Sequence, residues 1–183
     1  MRRSAKGDES AFTDLYRRRQ QAVYRFALGM SGRSDVAEEV TQDVFLSVIR
    51  QPGRFDESRG TVQSFLFGIA RNLVLRHCER DRRDVFLQDD RDVDLEADTP
   101  DVLASLATQQ TVAAVREAVL RLPPSYREVV VLCDLEEMSY AAAAEVLGVP
   151  VGTVRSRLNR GRGLLLEKLR WYEGGRFSVG CSA

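Results

Sequence analysis

Residues 139–162, SYAAAAEVLGVPVGTVRSRLNRGR, constrain the fold of this chain more than any other stretch. Ser139 carries an N-cap side chain, and residues 140–147 are rich in alanine, the best helix former. Gly148 can adopt a positive φ past a helix end. Pro150 stands in the first turn of a following helix, where its missing N–H costs nothing. The pattern predicts two short helices joined by a tight turn. In the second, Val151, Val154 and Leu158 recur at spacings of three and four and form an apolar underside. Arg155, Ser156, Asn159 and Arg160 fall largely on the opposite side. A helix of this kind, presented by a helix–turn, fits a DNA major groove: Arg makes paired bonds to guanine, Asn to adenine, and both bond phosphate. A plain amphipathic hairpin with a solvated charged face satisfies the same pattern, and this stretch alone leaves both readings open.

Bulk charge does not decide between them, because 27 basic and 27 acidic side chains cancel over 183 residues. The distribution is uneven. Asp81, Asp84, Asp89, Asp90, Asp92, Asp94, Glu96, Asp98 and Asp101 crowd the middle, whereas Arg155, Arg157, Arg160, Arg162, Lys168 and Arg170 crowd the end. Local sign matters more than the total for DNA binding. Lys6 and Lys168 are the sole lysines; arginine suits forked recognition of phosphate and guanine, though a GC-rich genome accounts for the bias more simply. Cys78, Cys133 and Cys181 form no CxxC pair, and His77 beside Cys78 is a poor geometry for joint ligation, so no metal or cofactor is expected. Incidental thiols in a reduced, cytoplasmic protein are the expectation. No apolar run is long enough to span a bilayer and no signal pattern follows Met1, so no membrane insertion is expected. There is no nucleophile–base constellation, phosphate loop or metal-ligand spacing, which argues against an enzyme.

Taken in order, residues 8–28 have helical periodicity in Phe12, Leu15, Tyr16, Val23, Phe26 and Ala27, broken by turn residues at 29–33. The next helix runs from Ser34 or Asp35 to about Arg50, with Asp35 and Glu38 at capping-box spacing. Ala37, Val40, Val44 and Val48 form its stripe, widened by Phe45 and Ile49. Glu38, Glu39, Gln42 and Asp43 line its outer face, which periodicity alone reads as solvated. A polar loop holding Phe55 precedes a helix over residues 62–80, with Phe65, Leu66, Ile69, Ala70, Leu73 and Val74 inward and Arg71, Asn72 and Arg76 elsewhere. Aromatics interleaved with Arg and Asn suit single-stranded DNA. Residues 84–100 read as an acidic linker, either a mimic of nucleic acid or a solubilising tether. Helical pattern returns over 101–122 and stops at Pro123-Pro124; a further helix carries Val129, Val130 and Leu132 behind the helix–turn–helix. Residues 173–183 read as a flexible tail. The expected fold is all-α: two small helical domains joined by a flexible acidic linker.

The run LPPSYREVVVLCDLEEMSY, followed by LGVPVGTVRSRLNRGR, resembles region 4 of the bacterial extracytoplasmic-function (ECF) sigma factors of the sigma-70 family. AEEVTQDVFLSVIR resembles region 2.2 of that family, and RFDESRGTVQSFLFGIARNLVLRH resembles regions 2.3 and 2.4, in the family's order. The resemblance implies region 2 over residues 5–83, a linker over 84–100 and region 4 over 101–172. It implies contact with the clamp helices and flap of core RNA polymerase, the former through Glu39, Gln42, Asp43 and Phe45. Promoter DNA is implied at −10 through Phe55, Arg59, Asn72 and Arg76, and at −35 through Thr153, Arg155, Ser156, Arg157, Asn159 and Arg160. An anti-sigma factor is the implied regulatory partner. Phe65 stands where the family usually has Trp, Gly68 replaces a common Arg, and Ala143 replaces a larger core Ile. A sigma-like adaptor that titrates an anti-sigma factor without binding promoters is the alternative; the basic face of residues 155–162 argues against it.

Overall fold

The computed structural model describes residues 9–85 and 106–176. Among the described residues seven α-helices carry the fold: α1 (Glu9–Ser31), α2 (Ser34–Arg50), α3 (Val62–Val85), α4 (Leu106–Leu120), α5 (Pro124–Val130), α6 (Tyr140–Leu147) and α7 (Val151–Arg176). Among the described residues there is no strand, as expected of an all-α chain. Residues 86–105, which hold most of the expected linker and the start of the helix expected from Asp101, lie outside the described residues, as do Asp8 and residues 177–183. α7 continues through Arg176, four residues past the bound of 172 expected for region 4.

The first unit is α1 packed on α2 and α3. Val23 and Phe26 of α1, Val40 and Val44 of α2, and Leu66, Phe67 and Val74 of α3 are all essentially buried. The Phe26 and Phe67 rings lie 5.1 Å apart at its centre. Phe67 was not among the expected inward residues, whereas Phe65, Ile69 and Leu73 are only half-buried. The reason is that α3 is covered from two sides, so its buried stripe is wider than, and rotated from, the one periodicity picks out. The break expected at Gly29 comes later. α1 runs through it to Ser31, and Gly32 ends the helix at φ 75°, its N–H bonding the Leu28 carbonyl at 2.8 Å. The capping box expected at Asp35 is absent: α2 starts after Arg33 without a side-chain cap, and Asp35 instead pairs with Arg33.

The second unit places α5 and α6 against α7, with α4 lying along α7. Val119, Leu122, Val129, Leu132, Val154 and Leu158 form its buried centre. α5 passes directly into a π-helical turn, Val131–Leu135, closed by the Glu136 N–H on the Val131 carbonyl at 3.0 Å. Glu137 then takes the left-handed conformation at φ 53° without being a glycine, which lets the chain reverse into α6. The two units share one continuous apolar cluster: α3 packs on α6, and α1 packs on α4 and the π-helical turn.

Candidate nucleic-acid interface

The α6–turn–α7 motif is set by local chemistry. The Ser139 Oγ accepts from the Ala142 N–H at 3.2 Å, and Gly148 sits left-handed at φ 65°, as an α6 cap requires. The Pro150 carbonyl accepts the Thr153 and Val154 N–H groups at 2.9 and 3.2 Å and so starts α7. Val154 and Leu158 are buried and seat the helix, while Val151, expected on the same underside, is 37% exposed. Arg155, Ser156, Asn159 and Arg160 are all exposed, forming the outward polar face that the spacing predicts. Thr153 and Arg157 are half-buried and flank that face rather than lying on it. The Arg155 guanidinium lies 5.9 Å from the Tyr140 ring centroid, at the outer limit of a cation–π contact. Arg162 is committed elsewhere. It forks onto Asp134 at 3.0 and 2.6 Å, and this pairing raises its pKa further. Its basic charge therefore anchors α7 to the π-helical turn.

A second polar surface lies at the start of α3. Asp56 accepts from the Ser58 N–H at 2.9 Å and orders the loop, and Phe55 stands half-buried with its ring 5.4 Å from that of Phe65, edge to face. Asn72 and Arg76 are exposed on α3; the Arg59 side chain lies outside the described residues. The loop thus presents an aromatic against Phe65, and α3 carries exposed amide and guanidinium donors further along; groups of these kinds can hold an unstacked base and its phosphates. Among the described residues no group of three or more His, Cys, Asp or Glu side chains is placed to hold a metal ion, and no helix is long and apolar enough to cross a membrane.

Two family models match the chain, sigma-70 region 2 over residues 15–84 and sigma-70 region 4 over residues 113–165. The ECF RNA polymerase sigma factor SigW of Bacillus subtilis is 31% identical over 90% of this chain and 92% of its own length. The chain belongs to the ECF sigma factors. SigE of Mycolicibacterium smegmatis is 36% identical over 90% of this chain, which spans 65% of that relative's length. RpoE of Cereibacter sphaeroides is 30% identical over 89% of this chain and 86% of its own. Among solved structures, the sigma factor RpoE in complex with the anti-sigma factor NepR, from Bartonella quintana, matches with a TM-score of 0.76 at 27% identity. It covers 87% of this chain and 97% of that one. CnrH in complex with the cytosolic domain of CnrY gives 0.68 at 27% identity, covering 92% and 93%. The α1–α3 unit is therefore region 2 and the α4–α7 unit region 4 of a sigma factor.

The outer face of α2 in region 2 divides three ways. Glu39 and Gln42 are exposed and Asp43 is half-buried. Phe45, expected to share that face, is only 3% exposed. Its ring packs edge-on at 4.8 Å from Tyr16 and 6.3 Å from Phe12. Periodicity placed it at the margin of the stripe, and the aromatics of α1 cover it. Phe45 instead floors a groove of about 670 Å³ between α1 and α2, rimmed by Tyr16, Gln42 and Ile49. Ile49 is 54% exposed there. The groove was not anticipated; its one sequence signal was the presence of two large apolar side chains, Tyr16 and Ile49, at the edges of otherwise buried stripes.

Proposed function

We propose that this sigma factor binds core RNA polymerase and directs promoter-specific initiation. Region 2 over residues 5–83 supplies the polymerase contact through Glu39, Gln42 and Asp43, with Phe45 shaping the groove beneath them. It also supplies −10 capture through Phe55, Arg59, Asn72 and Arg76. Region 4 over 101–172, joined by residues 84–100, reads −35 through Arg155, Ser156, Asn159 and Arg160, with Thr153 and Arg157 at the flanks. The similarity to the sigma factor RpoE bound to the anti-sigma factor NepR supports regulation by such a partner here. The observation that carries the reading is the exposed Arg155–Ser156–Asn159–Arg160 face on a helix seated by buried Val154 and Leu158. Base-edge bonds from these side chains supply specificity, and neighbouring arginines on phosphate make binding salt-dependent.

Run-off transcription with purified core polymerase on genomic promoter fragments tests it. Start sites that appear only with the protein establish the role; absence of both start sites and core binding refutes it. Arg155→Ala should lower −35-dependent transcription roughly tenfold or more, the scale of one lost base contact, with core binding intact. Gln42→Ala combined with Asp43→Ala should weaken core binding, and unchanged affinity would rule out that face.

A further inference from the structure

Several arginines of this fold are held by carboxylates. Arg25 of α1 forks onto Glu136 at 3.0 and 2.9 Å, and Arg71 of α3 onto Glu128 at 2.9 and 3.3 Å. Arg162 of α7 forks onto Asp134 in the same manner. A fork of this kind spends guanidinium N–H donors on the protein itself. Arg155, on the outward face of α7, is held differently. Its guanidinium carbon lies over the Tyr140 ring, 5.9 Å from the centroid. A contact made through the plane of the guanidinium spends none of its N–H donors.

Both sides of that contact stand on fixed backbone. Tyr140 is the first residue of α6. Ser139 orders the turn that carries it: its Oγ accepts the Ala142 N–H at 3.2 Å and its carbonyl accepts the Ala143 N–H at 2.9 Å. Ala143, on the same turn, is fully buried and anchors it in the core. On α7, buried Val154 beside Arg155 and buried Leu158 fix the rotation of the helix. Tyr140 itself is 37% exposed, so the core does not account for its ring. Arg162 lies about two turns further along α7; with its fork on Asp134, the ring is left to Arg155.

We propose that Tyr140 is a positioning residue for −35 recognition: its ring holds the Arg155 guanidinium by the plane and leaves the N–H edges to a base pair. The role rests on the promoter-reading function given above and is exerted through Arg155 alone. An unrestrained arginine on a helix surface loses rotamer freedom when it forks a base edge, and that loss is subtracted from affinity. A ring beneath the guanidinium removes part of the loss before DNA arrives. The gain falls on specificity, because a base edge is read by one placement of the fork, whereas contacts to phosphate carry no sequence information. Tyr140 thus sets discrimination at the pair that Arg155 reads without touching a base. For an exposed cation–π contact the effect is about two- to fivefold.

Transcription by holoenzyme, assembled from core polymerase and the full chain, tests this on a promoter fragment that the wild type uses and on the same fragment with each −35 base pair changed in turn. The pair at which Arg155→Ala loses discrimination is the pair that Arg155 reads. Tyr140→Leu keeps an apolar side chain of good helix propensity and removes the π face. It should lower discrimination at that pair about two- to fivefold, with the other pairs, core binding and helicity by circular dichroism unchanged. Tyr140→Phe keeps the face and should match the wild type. In an Arg155→Ala background Tyr140→Leu should have no further effect, since the two side chains act as a unit. A merely structural tyrosine would cost the same in both backgrounds and at every pair. Three results each overturn the positioning role while leaving the −35 reading in place. They are a Tyr140→Leu protein equal to wild type at the Arg155 pair, an equal loss in both backgrounds, and a loss in Tyr140→Phe, which marks a hydroxyl bond to DNA. Full discrimination at every pair in Arg155→Ala overturns the −35 reading itself, and the role of Tyr140 with it.

Discussion

Gly161 and Gly163 stand two residues apart in the interior of α7, yet a methyl group added to them should act in opposite senses. At Gly163 a Cβ meets nothing within 4 Å. Gly163→Ala therefore gains helix propensity alone, about 0.5–1 kcal/mol. At Gly161 the same Cβ would lie 2.9 Å from Val130 Cγ2 and 3.5 Å from the Tyr126 carbonyl oxygen. Val130 is 1% exposed and β-branched, so it has no alternative rotamer to retreat into. α5 and α7 must then move apart, at the roughly 1–3 kcal/mol that overpacking a well-filled core costs. The propensity gain is common to both variants and cancels in their difference. Gly161→Ala should therefore be less stable than Gly163→Ala by about 1–3 kcal/mol, and less stable than wild type in all but the mildest case. Urea unfolding followed by far-ultraviolet circular dichroism reads this directly, provided the slope against denaturant is the same in all three proteins. If Gly161→Ala stabilises as much as Gly163→Ala, the close approach of α5 to α7 is wrong, and with it the seating of α7.

Three further outcomes are expected. Ser139→Ala removes the α6 cap at the Ala142 N–H and should cost about 1 kcal/mol in the same unfolding assay; no loss means α6 starts elsewhere. Burial, opposed by the Arg25 pair and reinforced by Glu137, raises the Glu136 pKa from the ordinary carboxylate range. A group held with a raised pKa contributes stability below its unfolded value and loses it as pH rises through the raised one. Wild type should thus lose stability relative to Glu136→Gln as pH rises above about 4, the ordinary glutamate value, and the opposite slope means that the Arg25 pair outweighs desolvation. Burial, then the Asp134 charge, pushes the Cys133 thiol up, with Arg162 opposing. Its alkylation at mildly alkaline pH should be slower than that of a free thiol and slower still in Arg162→Ala, read by mass spectrometry of the labelled peptides.

What the sequence determined by itself is local. Ser139, Gly148 and Pro150 act on backbone within a few residues, so the bounds of α6 and the start of α7 were legible before any fold was known. The Arg155, Ser156, Asn159 and Arg160 face was legible for the same reason, since one helix of known period places them together. Periodicity cannot say what covers a helix, or from how many sides. Hence Phe67 was missed because α3 is buried twice over. Phe45, which periodicity put at the edge of the buried stripe and the family resemblance on the polymerase face, is covered by Phe12 and Tyr16. Gly29 looked like a turn residue. In the fold it is a helical notch for Val131, a role defined by a residue some hundred positions away in the chain. Glu128 and Glu136 carry no sequence signal of their purpose, because a buried carboxylate has meaning only with its arginine, and Arg71 and Arg25 lie in the other unit. Tertiary structure alone decided that the two halves meet, since that contact depends on the packing of both together.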